Sequence, residues 1–124
     1  MIEPQDFMSS GKLMLGNVEI NNRNAISRIY YGVYHISLNF ASNYLGFTYE
    51  SGQSRHKQLI NFFKSCNDRK LKVIGRQMEK LRNARNEADY SLESFISSDD
   101  AKYELLRAIQ TITQIEQQEK TQSP

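Results

Sequence analysis

Apolar residues recur at three- and four-residue intervals along almost the whole 124-residue chain, and no stretch sustains the alternation of a half-buried strand. The pattern predicts an all-α fold of four to five helices. A first helix covers about Pro4 to Leu15, with Phe7, Gly11, Met14 and Leu15 on one stripe and Gly16-Asn17 as its stop. The second is the most clearly marked. Capped by Asn21 or Asn22, it runs to about Leu45, and Gly46 ends it. Its stripe of Ile26, Tyr30, Val33, Ser37, Phe40, Ala41 and Tyr44 is widened by Ile29 and Ile36. So broad a face suits a central helix with several neighbours, or one that also makes a dimer contact.

After a loop over Phe47 to Gln53, Ser54 caps a short helix from Arg55 to Ser65 that carries Leu59, Ile60, Phe62 and Phe63. Asn67-Asp68 turns into a fourth helix, from Arg69 to Ala88 or Tyr90, with Leu71, Ile74, Met78 and Leu81 at helical spacing. Ser97 or Ser98 caps the last helix, and Asp99-Asp100 favour its positive end. Leu105, Ala108, Ile109, Ile112 and Ile115 form its stripe, and the polar stretch from Glu116 to Pro124 is expected to fray.

Composition narrows the class without naming a function. The length fits one domain of the common ~100–150-residue size. No run of ~18 apolar residues is present, which argues against a membrane span. Met1-Ile2-Glu3-Pro4-Gln5-Asp6 lacks the basic and apolar regions of a signal peptide. Cys66, the single cysteine, cannot form an internal disulfide and suits a reducing compartment, so a cytoplasmic location is expected. Two histidines and one cysteine show no metal-ligand spacing, and there is no glycine-rich phosphate loop or nucleophile elbow. Neither a metal nor a cofactor is expected.

The net charge of +2 conceals a partition. From Arg55 to Arg85 there are ten basic and two acidic residues, or +8; from Asn86 onward three basic and eight acidic, or −5; residues 1–54 carry −1. Two readings stay open. The acidic helix can neutralise the basic one within the bundle, or the basic run can present a surface that attracts phosphate.

Two segments could carry chemistry. In Leu81-Arg82-Asn83-Ala84-Arg85-Asn86-Glu87-Ala88-Asp89-Tyr90, a helix aligns Arg82, Arg85 or Asn86, and Asp89 on one face. That face is either a solvated one with an Arg85–Asp89 pair, or a phosphate clamp in which Asn, Asp and Tyr orient groups or handle protons. In Ser27-Arg28-Ile29-Tyr30-Tyr31-Gly32-Val33-Tyr34-His35, the residues Arg28, Tyr31 and His35 fall on the side away from Tyr30 and Val33. His35 is either a satisfied boundary histidine or part of a second polar face aimed at a shared cleft. His56 opens the third helix between Arg55 and Lys57.

These two segments resemble signatures of the HEPN superfamily, a group of small all-α domains. Ser27 to His35 is similar to the S-R-x-Y-Y-x-x-[FY]-H signature of one large branch, and Arg85-Asn86-Glu87-Ala88-Asp89-Tyr90 to its R-x-x-A-D-Y signature. His56 falls where that branch tends to place a histidine before its third helix. The resemblance implies a HEPN-like bundle over residues 1–117, with 118–124 a polar disordered tail. It implies a homodimer in which the motif helices of two subunits meet. Many members are metal-independent RNases that use R-x4-6-H, Arg on the phosphate and His for acid–base work; some are toxins paired with a nucleotidyltransferase-type antitoxin. Here Arg82-Asn83 matches the opening of that motif, but Asp89 takes the place of His after six intervening residues, and counting from Arg85, Tyr90 follows four intervening residues.

The expected function is therefore an RNA-processing or RNase-toxin-like dimer. Arg82 and Arg85 would hold phosphate, while Asp89, Tyr90 and His35 would orient groups or exchange protons. Arg28, Arg76, Lys80 and Asn86 would contact nucleic acid. The alternatives are a non-catalytic module of the same family, binding RNA, a nucleotide or a nucleotidyltransferase partner, and a plain helical adaptor.

Overall fold

Ser54, Asp68 and Ser97 each begin a helix by the chemistry that their residue types predict. The computed structural model describes residues 2–14 and 18–122, so the expected Gly16-Asn17 stop and Leu15 lie outside it. Five helices form among the described residues, with no strand: α1 (Pro4–Met14), α2 (Glu19–Tyr44), α3 (Arg55–Ser65), α4 (Arg69–Tyr90) and α5 (Ser98–Gln122). Ser54 Oγ accepts from Lys57 N–H, and Asp68 Oδ1 accepts from the N–H groups of Lys70 and Leu71. Ser97 and Asp100 cap each other, the Ser97 hydroxyl accepting from Asp100 N–H at 3.0 Å and the Asp100 carboxylate accepting from Ser97 N–H at 2.9 Å. At the end of α2, Gly46 takes the left-handed conformation (φ 71°), and Ala41 C=O accepts from both Leu45 and Phe47 N–H.

Two boundaries differ from the sequence expectation. Helix α2 starts at Glu19 behind Val18, so neither Asn21 nor Asn22 is its cap. The extra turn is tied down from across the bundle. Asn22 is buried, with its side-chain amide 3.5 Å from Ile96 C=O, and Arg23 pairs with Glu19 one turn back at 2.9 Å. At the other end, α5 continues to Gln122, and Gln118 is buried against the bundle, so the helix runs on past residue 117.

Helix α2 is central and packs against α1, α4 and α5; α3 packs on α4, which also meets α5. The breadth of its apolar face is accounted for inside the subunit by these neighbours. Ile29, Tyr30, Val33 and Phe40 of α2 meet Leu59 and Phe63 of α3, Ile74, Met78 and Leu81 of α4, and Ile115 of α5 in one core. A smaller cluster of Ile26, Ala88, Ile96 and Ala101 closes the end where α4 turns into α5. Phe47, in the loop, is buried and packs at a tilt on Phe62, with ring centres 4.9 Å apart. Tyr44 and Ile109, assigned to stripes, are instead exposed.

The α3–α4 contact depends on Gly75. A Cβ there would sit 2.8 Å from the backbone nitrogen of Lys64 and 2.9 Å from Phe63 Cβ. Backbone cannot swing aside as a flexible side chain can. Gly75→Ala is therefore expected to destabilise the domain by ~1–3 kcal/mol despite alanine's better helix propensity. Chemical denaturation would measure this, and an unchanged or raised midpoint would contradict the close approach.

Candidate functional site

The face of α4 that carries the motif lies against α2 and the start of α3. Arg85 is its hub. Its Nη2 donates to Tyr31 Oη at 2.7 Å and its Nη1 to Asn86 Oδ1 at 3.1 Å. Its Nε lies 2.9 Å from Asp89 Oδ2, but the N–H is not aimed at that oxygen, so the contact is an ion pair without a well-directed hydrogen bond. The guanidinium sits over the Tyr31 and Tyr90 rings, 5.2 and 5.5 Å from their centres. Asp89 also accepts from the Ser27 hydroxyl at 3.2 Å and so ties α4 to α2.

Arg82, one turn earlier, is different. It is half-buried, and its guanidinium makes no hydrogen bond or ion pair with any described residue; its Nε is buried and unpartnered. Buried guanidinium N–H groups without acceptors are costly in a finished core, and their donors are suited to an anion.

His56 completes the cluster from the first turn of α3. Its Nδ1 lies 2.6 Å from Tyr30 Oη, and its ring rests on Tyr34, with centres 4.3 Å apart. Tyr31 bridges the two halves of the site, because its ring meets the His56 ring edge-on at 6.3 Å while its hydroxyl accepts from Arg85. Burial, and then the positive charges of Arg82, Arg85 and His35, hold the His56 pKa below its ordinary value. Burial likewise raises the Tyr30 phenol far above its normal range, so it stays protonated. Tyr34 and Tyr49 share a short hydroxyl contact at the outer edge.

The depressed His56 pKa sets a pH dependence. Between the folded and the unfolded pKa values the unfolded chain binds more protons. Stability therefore rises with pH there and is lost as pH falls below about 6.5. Glu104 is buried with a raised pKa, so its contribution runs the opposite way at more acid pH. Denaturation midpoints of wild type and His56→Gln, compared between about pH 5 and 7, separate the two. The variant should show the flatter dependence, and equal slopes would remove His56 as the cause.

Of the sequence-predicted site residues, the fold gathers Arg82, Arg85, Asp89, Asn86 and His35 around this face. His35 is half-buried, stacked on Phe7 with ring centres 5.6 Å apart, and within electrostatic reach of His56. Tyr90 joins only through its ring: it is 70 % exposed and its hydroxyl has no described partner. Arg28 and Arg76 are exposed and make no described contact with the cluster. Lys80 lies elsewhere, lining a groove between α4 and α5 with Gln77, Tyr103 and Arg107.

Comparison with protein-family models, with curated proteins and with solved structures finds no match. The site therefore has to be read from its own chemistry. Among the described residues no cluster of three or more His, Cys, Asp or Glu side chains is placed to hold a metal, and no helix is long and apolar enough to cross a membrane.

Tyr30 and His56 are the residues that sequence reasoning did not place in the site. His56 was marked by position alone, and Tyr30 read as core filler. The Ser54 cap was the available signal, because it fixes His56 in the first turn of α3. The 26-residue separation from Tyr30 to His56 carries no local pattern.

Proposed function

We propose that this chain is a HEPN-type RNA-processing protein that acts on the RNA backbone without a metal. The observation that carries the reading is Arg82, a half-buried guanidinium with no acceptor among the described residues, within electrostatic reach of an imidazole. Metal-independent cleavage of RNA needs positive charge against the phosphoryl oxygens and groups that move protons at the 2′-hydroxyl and the leaving oxygen. Arg82 and Arg85 supply the charge. His56 adds a hydrogen-bonding imidazole beside them, and His35, within its electrostatic reach, is the imidazole left to exchange a proton, which eases the lack of a histidine at position 89. The net charge of +8 between Arg55 and Arg85 adds a general attraction for a polyanion, although Arg76 and Lys80 lie away from the cluster.

In this reading two copies meet near the motif, where Tyr90, Leu92 and Phe95 expose apolar surface at the end of α4. A nucleotidyltransferase-type antitoxin is the protein partner that the family resemblance suggests. The test is cleavage of single-stranded RNA by purified protein in EDTA. Wild type is expected to cut and Arg82→Ala/Arg85→Ala to be inert. Cleavage that survives the double substitution removes the assignment.

The second reading is a non-catalytic module that binds RNA, a nucleotide or the partner through the same arginines. It is favoured by the engagement of Asp89 with Arg85 and Ser27, which leaves that carboxylate a strut between helices. It predicts RNA binding that weakens with salt and no cleavage by the wild type.

A further inference from the structure

We propose that Tyr30 is the positioning residue of this site: its O–H donates to His56 Nδ1 and holds the imidazole as the tautomer that carries its proton on Nε2. His56 then meets a phosphate as a neutral hydrogen-bond donor. This role rests on the phosphate-binding reading above; the tautomer itself does not.

The argument starts from burial. Tyr30 is completely buried, and His56 Nδ1, at 2.6 Å, is the partner that its hydroxyl has among the described residues. A buried hydroxyl must place its proton on an acceptor, and a neutral imidazole offers one nitrogen with a lone pair. The opposite arrangement, Nδ1–H donating to Tyr30 Oη, would leave the phenolic proton buried without an acceptor. Donation from Tyr30 therefore fixes the lone pair on Nδ1 and the proton on Nε2. Nε2 has no hydrogen-bond partner among the described residues.

The surroundings keep the ring neutral. Tyr30, Tyr31, Tyr34 and His35 face it from α2, and Arg82 and Arg85 act on it from α4. Among the described residues no carboxylate is hydrogen-bonded or ion-paired to the ring, and Asp89 is held on Arg85. A second proton, on Nδ1, would both oppose the two arginines and break the Tyr30 bond. The consequence for a bound phosphate is specific. The Nδ1 lone pair is occupied, so His56 offers a phosphoryl oxygen an N–H donor alongside the guanidinium donors of Arg82. Any acceptance of a proton from the 2′-hydroxyl falls to another group.

The experiment is nitrogen NMR of the full chain labelled at histidine, near neutral pH, for wild type and Tyr30→Phe. Phenylalanine keeps the buried ring and removes only the hydroxyl. In the wild type, His56 is expected to show a protonated Nε2 and an unprotonated Nδ1. In Tyr30→Phe the tautomer preference should weaken and the titration midpoint of His56 should move up, because the bond favouring the neutral form is gone. A wild-type His56 protonated on Nδ1, or an unchanged tautomer and midpoint in Tyr30→Phe, overturns the assignment. Adding a single-stranded oligoribonucleotide reads the second half: the Nε2–H signal should shift. An Nε2–H tautomer that ignores the oligonucleotide sinks the phosphate reading and leaves the tautomer lock standing.

Discussion

Under the proposed RNA-cleaving function, Arg85→Ala is expected to lower cleavage by ~10²–10³-fold, the usual effect of removing a donor aimed at charge that develops in a transition state. The side chain is already oriented for such a task. Tyr31, Asn86 and Asp89 engage the guanidinium, which also lies over the Tyr31 and Tyr90 rings. Little rotamer freedom remains to be lost when an anion arrives. Arg85→Lys keeps the charge but cannot reproduce the planar fork, so it should recover only part of the rate. The fold should survive both substitutions, because the Arg85–Asp89 contact is partly solvated and Asp89 keeps its bond from Ser27. Circular dichroism on the same samples would separate lost chemistry from lost structure. A folded Arg85→Ala variant that cuts RNA at the wild-type rate would take Arg85 out of the site.

Arg23→Ala is expected to cost ~3–5 kcal/mol, a large share of the ~5–15 kcal/mol that holds a domain of this size together. Arg23 is only 7 % exposed, and nearly every guanidinium donor is used. Nη1 donates to the carbonyls of Ala88 and Ser91, both at 2.9 Å, and more distantly to Glu87; Nη2 donates to Ser94, and Nε to Glu19 at 3.0 Å. Those carbonyls close the end of α4 and the loop that follows it; Glu87 and Ser91 C=O also accept from the N–H groups of Ser91 and Ser94, whereas Arg23 is the donor to Ala88 and Ser94 C=O. Helix α4 has no basic residue in its own last turn, so Arg23 from α2 supplies the positive charge that its dipole favours. Truncation takes the Arg23 donors from the Ala88 and Ser94 carbonyls and the ion-pair partner from the Glu19 carboxylate. Lysine restores charge at one point and cannot reach four carbonyls, so Arg23→Lys should recover a minor part. Chemical denaturation gives the magnitude, and amide exchange gives the place: protection should drop first from Ala88 to Ser91. Because Asp89 and Tyr90 sit in that last turn, a loosened α4 end would also loosen the site. Wild-type stability in Arg23→Ala would show the network to be incidental.

Much of the fold was legible because it is local. Ser54 and Asp68 announce α3 and α4 through side chains that bond the next turn, and Gly46 ends α2 because its left-handed backbone favours glycine. Periodicity located the core of α4 at Leu71, Ile74, Met78 and Leu81, all buried. The missed boundaries have a common cause. The first turn of α2 is held by Asn22 and Arg23, whose partners lie at the end of α4 and in the loop after it, and the last turns of α5 bury Gln118. A polar residue read alone looks like a cap or a frayed end, and only its distant partner turns it into an anchor.

The candidate site divides the same way. Residues 82–90 belong to one helix, so the sequence by itself determined that Arg82, Arg85 and Asp89 share a face and that Arg85 can pair with Asp89. It determined the all-helical architecture and the charge partition as well. The packing of α2, α3 and α4 settled that Arg85 is clamped while Arg82 has no hydrogen-bond or ion-pair partner among the described residues, that Tyr90 is mostly exposed, and that His56 rather than position 89 brings an imidazole within reach of the α4 arginines. Helical spacing is a property of one segment, set by its 3.6-residue turn. Pairing, burial and the field on a titrating group are properties of several segments at once, and they exist only after α2, α3 and α4 have packed.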